Sequence, residues 1–183
     1  MPKKILFITR NKNKIAEARA ITGLDISAQD LEIPEIQSLS VEEVAKAKAL
    51  AAFQITQKPV IVDDTGLTIK AWNGLPGALI VWFLEAVGTE GLLKLLTQEK
   101  NRRASVATCI AYADKTGVFS FSGKVSGTIA KKSKGVCGFG YDPIFIPQGQ
   151  TQTYAQMTAE EKNGISMRQI ALLKLKKFIN KKS

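Results

Sequence analysis

Two adjacent aspartates, Asp63 and Asp64, have the clearest chemical potential in this sequence. They follow the apolar run 60–62, which is typical of a buried strand, and they precede Thr65 and Gly66, which we predict to end it. A carboxylate at the carboxyl end of such a strand can hold Mg²⁺ or orient water, because ligand crevices of open α/β sheets lie at that edge. A turn that only ends the strand is the competing interpretation. Since neighbouring strand side chains point to opposite faces, we expect at most one carboxylate to enter a given cleft.

The absence of histidine narrows the chemistry that the chain can perform. It excludes Ser-His and Cys-His nucleophile systems, histidine-based zinc sites and imidazole general bases. Acid–base chemistry must therefore rely on carboxylates, lysines, tyrosines or water. The two cysteines, Cys109 and Cys137, lie far apart and form no Cys-x-x-Cys pair, so neither a zinc ribbon nor a disulfide framework is predicted.

The formal net charge of +10 favours anionic partners, which include nucleic acid, acidic lipid and small phosphorylated metabolites. Charge alone does not choose among them. Much of the excess lies near the C-terminus, where a solvated helix face and a frayed tail are the simpler explanation. A nucleic-acid-binding module is the alternative that this charge supports, but the chain has no dense basic stripe with interleaved aromatic residues. The C-terminal cations are Lys174, Lys176, Lys177, Lys181 and Lys182.

Two cations interrupt apolar helical stripes. Lys48 lies at the centre of the stripe predicted for the helix 41–55, and Arg168 extends the stripe of the final helix into its first turn. A cation on a buried face needs an anionic partner, although a long side chain can also reach solvent past its neighbours. Read singly, Lys14 and Lys162 are better explained as exposed lysines.

The segment 135–145, which reads GVCGFGYDPIF, combines three glycines with two aromatic residues. Its glycines allow close backbone approach, and Phe139 and Tyr141 could serve as stacking platforms for a nucleotide base. A tight hairpin with two core aromatics is the competing interpretation. Asp142 precedes a proline, so it could equally be a turn residue.

The hydrophobic pattern predicts an α/β fold with a mixed sheet in a single domain spanning residues 1–183. Met1 to Lys4 lead directly into a strand-like run rather than a signal-peptide core, and no apolar run is long enough to span a membrane, so we expect a cytoplasmic protein. Ser166 and Gln169 form a capping-box pattern that introduces the final helix. The predicted strands are 5–9, 26–33, 60–62, 104–113, 118–126 and a glycine-spaced stretch through 145, with residues 67–72 extended; the predicted helices are 14–22, 41–55, 78–87, 89–97 and 167–179.

Five segments, taken in order, resemble the inosine triphosphate pyrophosphatase family, whose members hydrolyse non-canonical purine nucleoside triphosphates. Together they extend over nearly the whole chain, although each segment alone is unspecific. The segments read ITRNKNKIAEA, LEIPEIQ, VIVDDTGLTIKAWNGLPG, GFGYDPIF and QTYAQMTAEEKNGISMR.

The resemblance implies a mixed, twisted sheet flanked by helices in a two-lobed domain, with the active site in the cleft. It also implies Mg²⁺ as cofactor, a small-molecule nucleoside triphosphate as substrate, a homodimer, and no specific nucleic-acid or membrane partner. Asp64 matches the catalytic carboxylate that activates water, with Asp63 as a supporting acidic residue and possible metal ligand. Glu35 matches the metal-binding glutamate, and Lys48 matches a catalytic lysine near the metal and phosphates.

The same resemblance assigns the substrate contacts. The first loop is expected to bind phosphate, Phe139 to stack on the base with Tyr141 as a second platform, and Asp142 to contact the base edge. The remaining expected contacts come from the third strand and from the two C-terminal helical segments. The full set is Thr9, Asn11, Lys14, Thr65, Phe139, Tyr141, Asp142, Lys162, Ser166 and Arg168.

Two positions depart from the family pattern. Where the family usually reads Ser-His-Arg, this chain has Ser166, Met167 and Arg168, so a methionine replaces the histidine. A thioether cannot donate a hydrogen bond to a base carbonyl, and this position therefore does not secure a preference for inosine and xanthosine nucleotides. Arg10 replaces a glycine usual in the first loop, where it either adds a phosphate contact, which we favour, or hinders backbone approach. A relative with altered base preference, or one that binds nucleotides without turnover, is therefore the second hypothesis.

Overall fold

A mixed sheet organises the protein, for which the computed structural model describes residues 5–182. The predicted lack of a signal peptide at residues 1–4 lies outside the described residues. The described strands form one sheet in the order β2-β1-β3-β5-β6-β7, with β4 pairing with β3. They are β1 Ile5–Ile8, β2 Ile26–Gln29, β3 Val60–Ile69, β4 Pro76–Gly77, β5 Arg103–Asp114, β6 Gly117–Ile129 and β7 Phe145–Pro147. This confirms the mixed α/β class.

The third strand is longer than its sequence suggests. It does not end at the aspartates but continues to Ile69, because β5 pairs with it along its whole length. By contrast, β1 runs parallel to β3 and pairs only with Val60 and Ile61. Asp63 and Asp64 therefore lie in the middle of a strand, just beyond the point where its parallel neighbour stops. The predicted strand end was wrong, but the predicted crevice edge is present.

Helices cover both faces of this part of the sheet. The helices are α1 Lys12–Thr22, α2 Val41–Thr56, α3 Ile80–Leu95, α4 Ala159–Ile165 and α5 Met167–Lys182. Ile61 packs in a core cluster with residues of α1 and α5, whereas Val60 and Val62 pack in a cluster with residues of α2. Because side chains alternate along a strand, Asp63 faces α1 and α5, and Asp64 faces α2.

Several predicted elements differ in extent from the structure. The helices expected over 78–87 and 89–97 form α3, which is interrupted at Gly88 by a non-helical conformation with φ 64°. The glycine-spaced segment forms turns, and only Phe145–Pro147 is a strand, because Gly135, Gly138 and Gly140 adopt positive φ. The short α4 was missed; Thr158 and Glu161 cap it reciprocally.

The remaining boundaries are close to those expected. The second strand ends at Gln29 rather than at residue 33, and the stretch predicted as extended after Gly66 ends in a 3₁₀ turn at Lys70–Trp72. In the part of the chain that the structure describes, none of the helices combines the length and apolar character that a membrane crossing requires.

Candidate active site

A cleft of about 1050 Å³ opens where β3 extends past β1. Its walls come from the β1–α1 loop, the segment after β2, the centre of β3, the glycine-rich turn and the start of α5. It thus gathers residues from the whole length of the chain. The predicted site residues that line it are Thr9, Asn11, Lys14, Glu35, Lys48, Asp63, Asp64, Thr65, Phe139, Tyr141, Asp142, Lys162 and Arg168.

Asp64 faces a lysine and a second carboxylate from neighbouring elements. Lys48 Nζ lies 2.5 Å from Glu35 Oε2 and 3.8 Å from Asp64 Oδ1. Lys48 projects from α2, the helix that covers this face of the sheet, so its place on the apolar stripe is explained by two carboxylate partners. The three side chains therefore form an acid–lysine–acid group on one wall of the cleft.

The second oxygen of Asp64 is available for a ligand. Asp64 Oδ2 is buried, and within the described residues it has no hydrogen-bond partner. Burial raises the pKa of Asp64 to about 7, although the charges of Lys48 and Lys14 oppose that shift. A carboxyl group with this pKa changes its protonation state near neutral pH, which suits a general base or a ligand that exchanges its proton for a cation.

Asp63 is held in a different way on the opposite face of β3. Its side chain is fully buried. Oδ2 lies 2.8 Å from Arg168 Nε, and Oδ1 forms an ion pair with Lys14. Burial alone would raise the pKa of Asp63, but the charges and hydrogen bonds of Arg168 and Lys14 hold it well below its usual range. Both oxygens are occupied by cations, so this geometry does not support the expectation that Asp63 is a metal ligand.

Glu17 is a site residue that the sequence analysis missed. Its Oε1 lies 2.9 Å from Lys162 Nζ, and its Oε2 lies 2.5 Å from Arg168 Nη1. It therefore joins two buried cations that come from different helices. A sequence signal existed, because Glu17 lies one helical turn after Lys14 and shares its face of α1, but nothing local identified its distant partners.

The glycine-rich turn in residues 135–145 lines the cleft away from the Asp64 wall. Asp142 Oδ2 accepts hydrogen bonds from Lys162 Nζ at 2.7 Å and from the Phe139 backbone N–H at 2.8 Å. Lys162 Nζ also lies 4.6 Å from the centroid of the Phe139 ring. Gly138 is required here, because a Cβ at that position would lie 2.1 Å from Asp142 Oδ2. Burial raises the pKa of Asp142, and Lys162 opposes that rise.

Two predicted contacts have structural roles instead. Tyr141 lines the cleft, but its ring is buried and packs edge-on against Phe145, so it is a core aromatic rather than an open stacking platform. Ser166 is buried, and its hydroxyl accepts a hydrogen bond from the Gln169 backbone N–H, which caps α5. Ser166 is absent from the described lining of the cleft.

Three further residues that were predicted to contact the substrate line the cleft and also form hydrogen bonds to other residues of the protein. Asn11 Oδ1 caps α1 by accepting from the backbone N–H groups of Asn13 and Lys14, and the Asn11 N–H donates to Thr9 Oγ1. Thr65 Oγ1 accepts from Arg168 Nη2 at 3.1 Å. These bonds order the first loop and the centre of β3.

The donor set on the Asp64 wall fits a hard divalent cation. No group of three or more His, Cys, Asp and Glu side chains in residues 5–182 is arranged to hold a metal ion. Mg²⁺, however, is commonly bound by one or two carboxylates together with substrate phosphates and water. Glu35 and Asp64 supply two carboxylates, and the unpartnered Asp64 Oδ2 supplies a free oxygen.

Comparison with known proteins gives consistent matches. The model of the Ham1 family matches residues 5–178. The dITP/XTP pyrophosphatase of Methanopyrus kandleri is 43% identical over 92% of this chain and 92% of its own. The inosine triphosphate pyrophosphatase of Emericella nidulans is 45% identical over 97% of both chains. The solved structure of the Staphylococcus aureus Ham1 protein superposes with a TM-score of 0.86 at 32% identity, covering 99% of this chain and 100% of its own.

Proposed function

The chain belongs to the Ham1 family, and from that premise we propose that it hydrolyses non-canonical purine nucleoside triphosphates. The substrates are ITP, dITP and XTP, and the products are the nucleoside monophosphate and pyrophosphate. The names of the relatives support this substrate class. The observation that carries the chemistry is the buried Asp64, with its raised pKa and an unpartnered oxygen, beside Lys48 and Glu35.

In the reaction, a water molecule attacks the α-phosphorus. A new oxygen–phosphorus bond forms, the bond between the α-phosphorus and the bridging oxygen breaks, and pyrophosphate leaves. Asp64 accepts the proton of the attacking water, and its pKa near 7 is suited to that transfer at neutral pH. Lys48 orients Asp64 and donates to the phosphate oxygens, while Lys14 contributes a second positive charge from the first loop.

A divalent cation completes the charge balance. The described lining of the cleft carries five Lys and Arg side chains against six Asp and Glu side chains, so the protein alone does not offset a polyanionic substrate. We propose Mg²⁺ as the cofactor, held by Glu35 and Asp64. When bound, it neutralises charge on the phosphates and on the departing pyrophosphate. Asp63 then acts as a positioning residue that holds Lys14 and Arg168.

At the other end of the cleft, the base is proposed to lie against the Phe139 ring. Lys162 and Asp142 flank that ring, and Arg168 Cζ lies 5.4 Å from its centroid. Met167 is buried in the same wall and carries no hydrogen-bond donor. Base selection must therefore rely on backbone groups and on Lys162, Asp142 and Arg168.

The test is pyrophosphate release from a panel of triphosphates with and without Mg²⁺. We expect Mg²⁺-dependent release from ITP and XTP, and a loss of roughly a hundredfold or more in kcat for Asp64→Asn, the size found when a general base is removed. Asp25→Asn, which alters an exposed aspartate outside the cleft, is the matched control. If no triphosphate in the panel yields pyrophosphate, the proposal is refuted. Binding of duplex or single-stranded nucleic acid that persists at physiological salt would favour the alternative of a nucleic-acid-binding module.

A homodimer in the cytoplasm is part of the same proposal. Trp82 is 61% exposed and Leu39 is 52% exposed beside an apolar hollow of about 560 Å³, which a second copy could cover. Both cysteines are free thiols, in keeping with a reducing compartment. Light scattering after gel filtration should give a dimer mass that Trp82→Asp converts to a monomer mass. Leu173→Asp, at an exposed leucine on α5, is the control, and an unchanged mass for both variants would refute this interface.

A further inference from the structure

Arg10 is a cation in the cleft without a protein partner. Each of the other cations in the described lining has at least one carboxylate partner. Arg10 is exposed at the mouth of the cleft, and in residues 5–182 its side chain forms no ion pair or hydrogen bond. The pairs are Lys14 with Asp63, Lys48 with Glu35, Lys162 with Glu17 and Asp142, and Arg168 with Asp63 and Glu17.

This difference matters for anion binding. A phosphate that approaches a paired lysine competes with a carboxylate already in contact with it, so part of the interaction energy is offset. A phosphate that approaches Arg10 displaces only water. The guanidinium group also offers parallel N–H donors that match two phosphate oxygens, which an ammonium group does not.

The position of Arg10 indicates which phosphate it meets. Helix α1 runs from the first loop toward the base end of the cleft, and Glu17, in its second turn, contacts Lys162 there. Lys14 precedes Glu17 by three residues, a rise of about 4.5 Å along the helix axis, and Arg10 lies in the loop just before Asn11, the residue that caps the start of the helix. Glu17 therefore contacts the base end of the cleft, whereas Arg10 belongs to the loop at the other end of α1, the loop that is expected to bind phosphate.

We propose that Arg10 binds the terminal phosphate group of the substrate and, after cleavage, the pyrophosphate product. The inference rests on the proposed function, and it adds a contact that distinguishes phosphate chains by length. The nucleoside monophosphate lacks the groups that Arg10 contacts, so its affinity does not depend on this side chain. The triphosphate and pyrophosphate both depend on it.

The experiment measures product binding by isothermal titration calorimetry with Mg²⁺ present. The ligands are pyrophosphate and inosine monophosphate, and the variants are Arg10→Gln and Arg10→Lys. Lys12→Gln is the matched control, because Lys12 is an exposed cation two residues away that is not in the described lining of the cleft. It removes the same formal charge from the adjoining first turn of α1.

We expect Arg10→Gln to weaken pyrophosphate binding roughly fivefold to tenfold, which lies between the effect of an exposed ion pair and that of a hydrogen bond to a charged group. Arg10→Lys should recover part of that loss, and Lys12→Gln should leave binding within about twofold. Inosine monophosphate should bind all four proteins equally. The loss in Arg10→Gln should shrink in 1 M salt, where the screening length is about 3 Å.

Three results would overturn the inference: unchanged pyrophosphate binding in Arg10→Gln, equal weakening of pyrophosphate and monophosphate, or an equal effect of Lys12→Gln. Turnover of ITP by the wild-type protein is measured separately. If turnover is absent, the proposed function fails, while pyrophosphate binding still decides the role of Arg10. If turnover is present and binding is insensitive to Arg10, only this inference fails.

Discussion

Replacing Glu17 with glutamine should weaken both the fold and the active site. Glu17 contacts Lys162 and Arg168, whose side chains are 5% and 1% exposed. Glutamine keeps the shape and one acceptor oxygen, but it loses the negative charge and directs an N–H donor at one of the two cations. Each cation retains one other carboxylate, Asp142 or Asp63, so the substitution removes part of a network rather than isolating a charge.

The magnitude follows from the two bonds that change. A hydrogen bond to a charged group contributes roughly 1.5–3 kcal/mol. Complete removal of one partner of a buried ion pair costs about 3–5 kcal/mol. Because Lys162 and Arg168 keep their second partners, we expect Glu17→Gln to lower the free energy of unfolding by about 2–4 kcal/mol.

Urea denaturation at 25 °C and pH 7.5, followed by circular dichroism, measures this change. Glu160→Gln is the matched control, because Glu160 is exposed on α4 and should change stability by less than about 0.5 kcal/mol. A loss below about 1 kcal/mol for Glu17→Gln, or one equal to that of the control, would refute the view that Glu17 holds the two cations. In steady-state kinetics at a temperature where the variant is folded, the KM for ITP should rise, since both cations flank the base end of the cleft.

Three further predictions concern the pH dependence of activity, the pH dependence of stability, and base selection. Because burial raises the pKa of Asp64 to about 7, kcat/KM should rise as pH increases through about 7. A higher Mg²⁺ concentration should move the midpoint of this rise to lower pH, because the cation competes with the proton. A midpoint near pH 4–5 that does not change with Mg²⁺ concentration would contradict this. The same raised pKa stabilises the fold most at low pH, and this contribution declines as pH rises from about 4 to about 7, a dependence that Asp64→Asn should remove. Met167→His should increase the ratio of kcat/KM for ITP over ATP, because it restores a donor to the cleft wall. An unchanged ratio would show that other groups select the base.

The sequence alone determined the kind of chemistry, and its resemblance to a known family indicated 13 of the residues that line the cleft. The lack of histidine left carboxylates as the principal acid–base groups, and strand alternation placed Asp63 and Asp64 on opposite faces of β3, as observed. The expectation that at most one of them would enter a given cleft was wrong, because the cleft opens where β3 extends past β1 and both residues line it. Lys48 on an apolar stripe indicated a buried anionic partner, and the structure supplies Glu35. These features depend on composition and on local periodicity, which a single chain displays directly.

Tertiary structure decided which charges pair and which side chains are free. Arg168 contacts Asp63 across 105 positions of the chain, and Lys162 contacts Glu17 across 145. No local pattern encodes such pairs, because they arise only when α1, β3, α4 and α5 pack together. The same packing extended β3 through its pairing with β5 and left one oxygen of Asp64 without a partner. The sequence therefore indicated which ionisable residue types could act in the cleft, whereas their protonation and their pairing depend on distances that exist only in the folded chain.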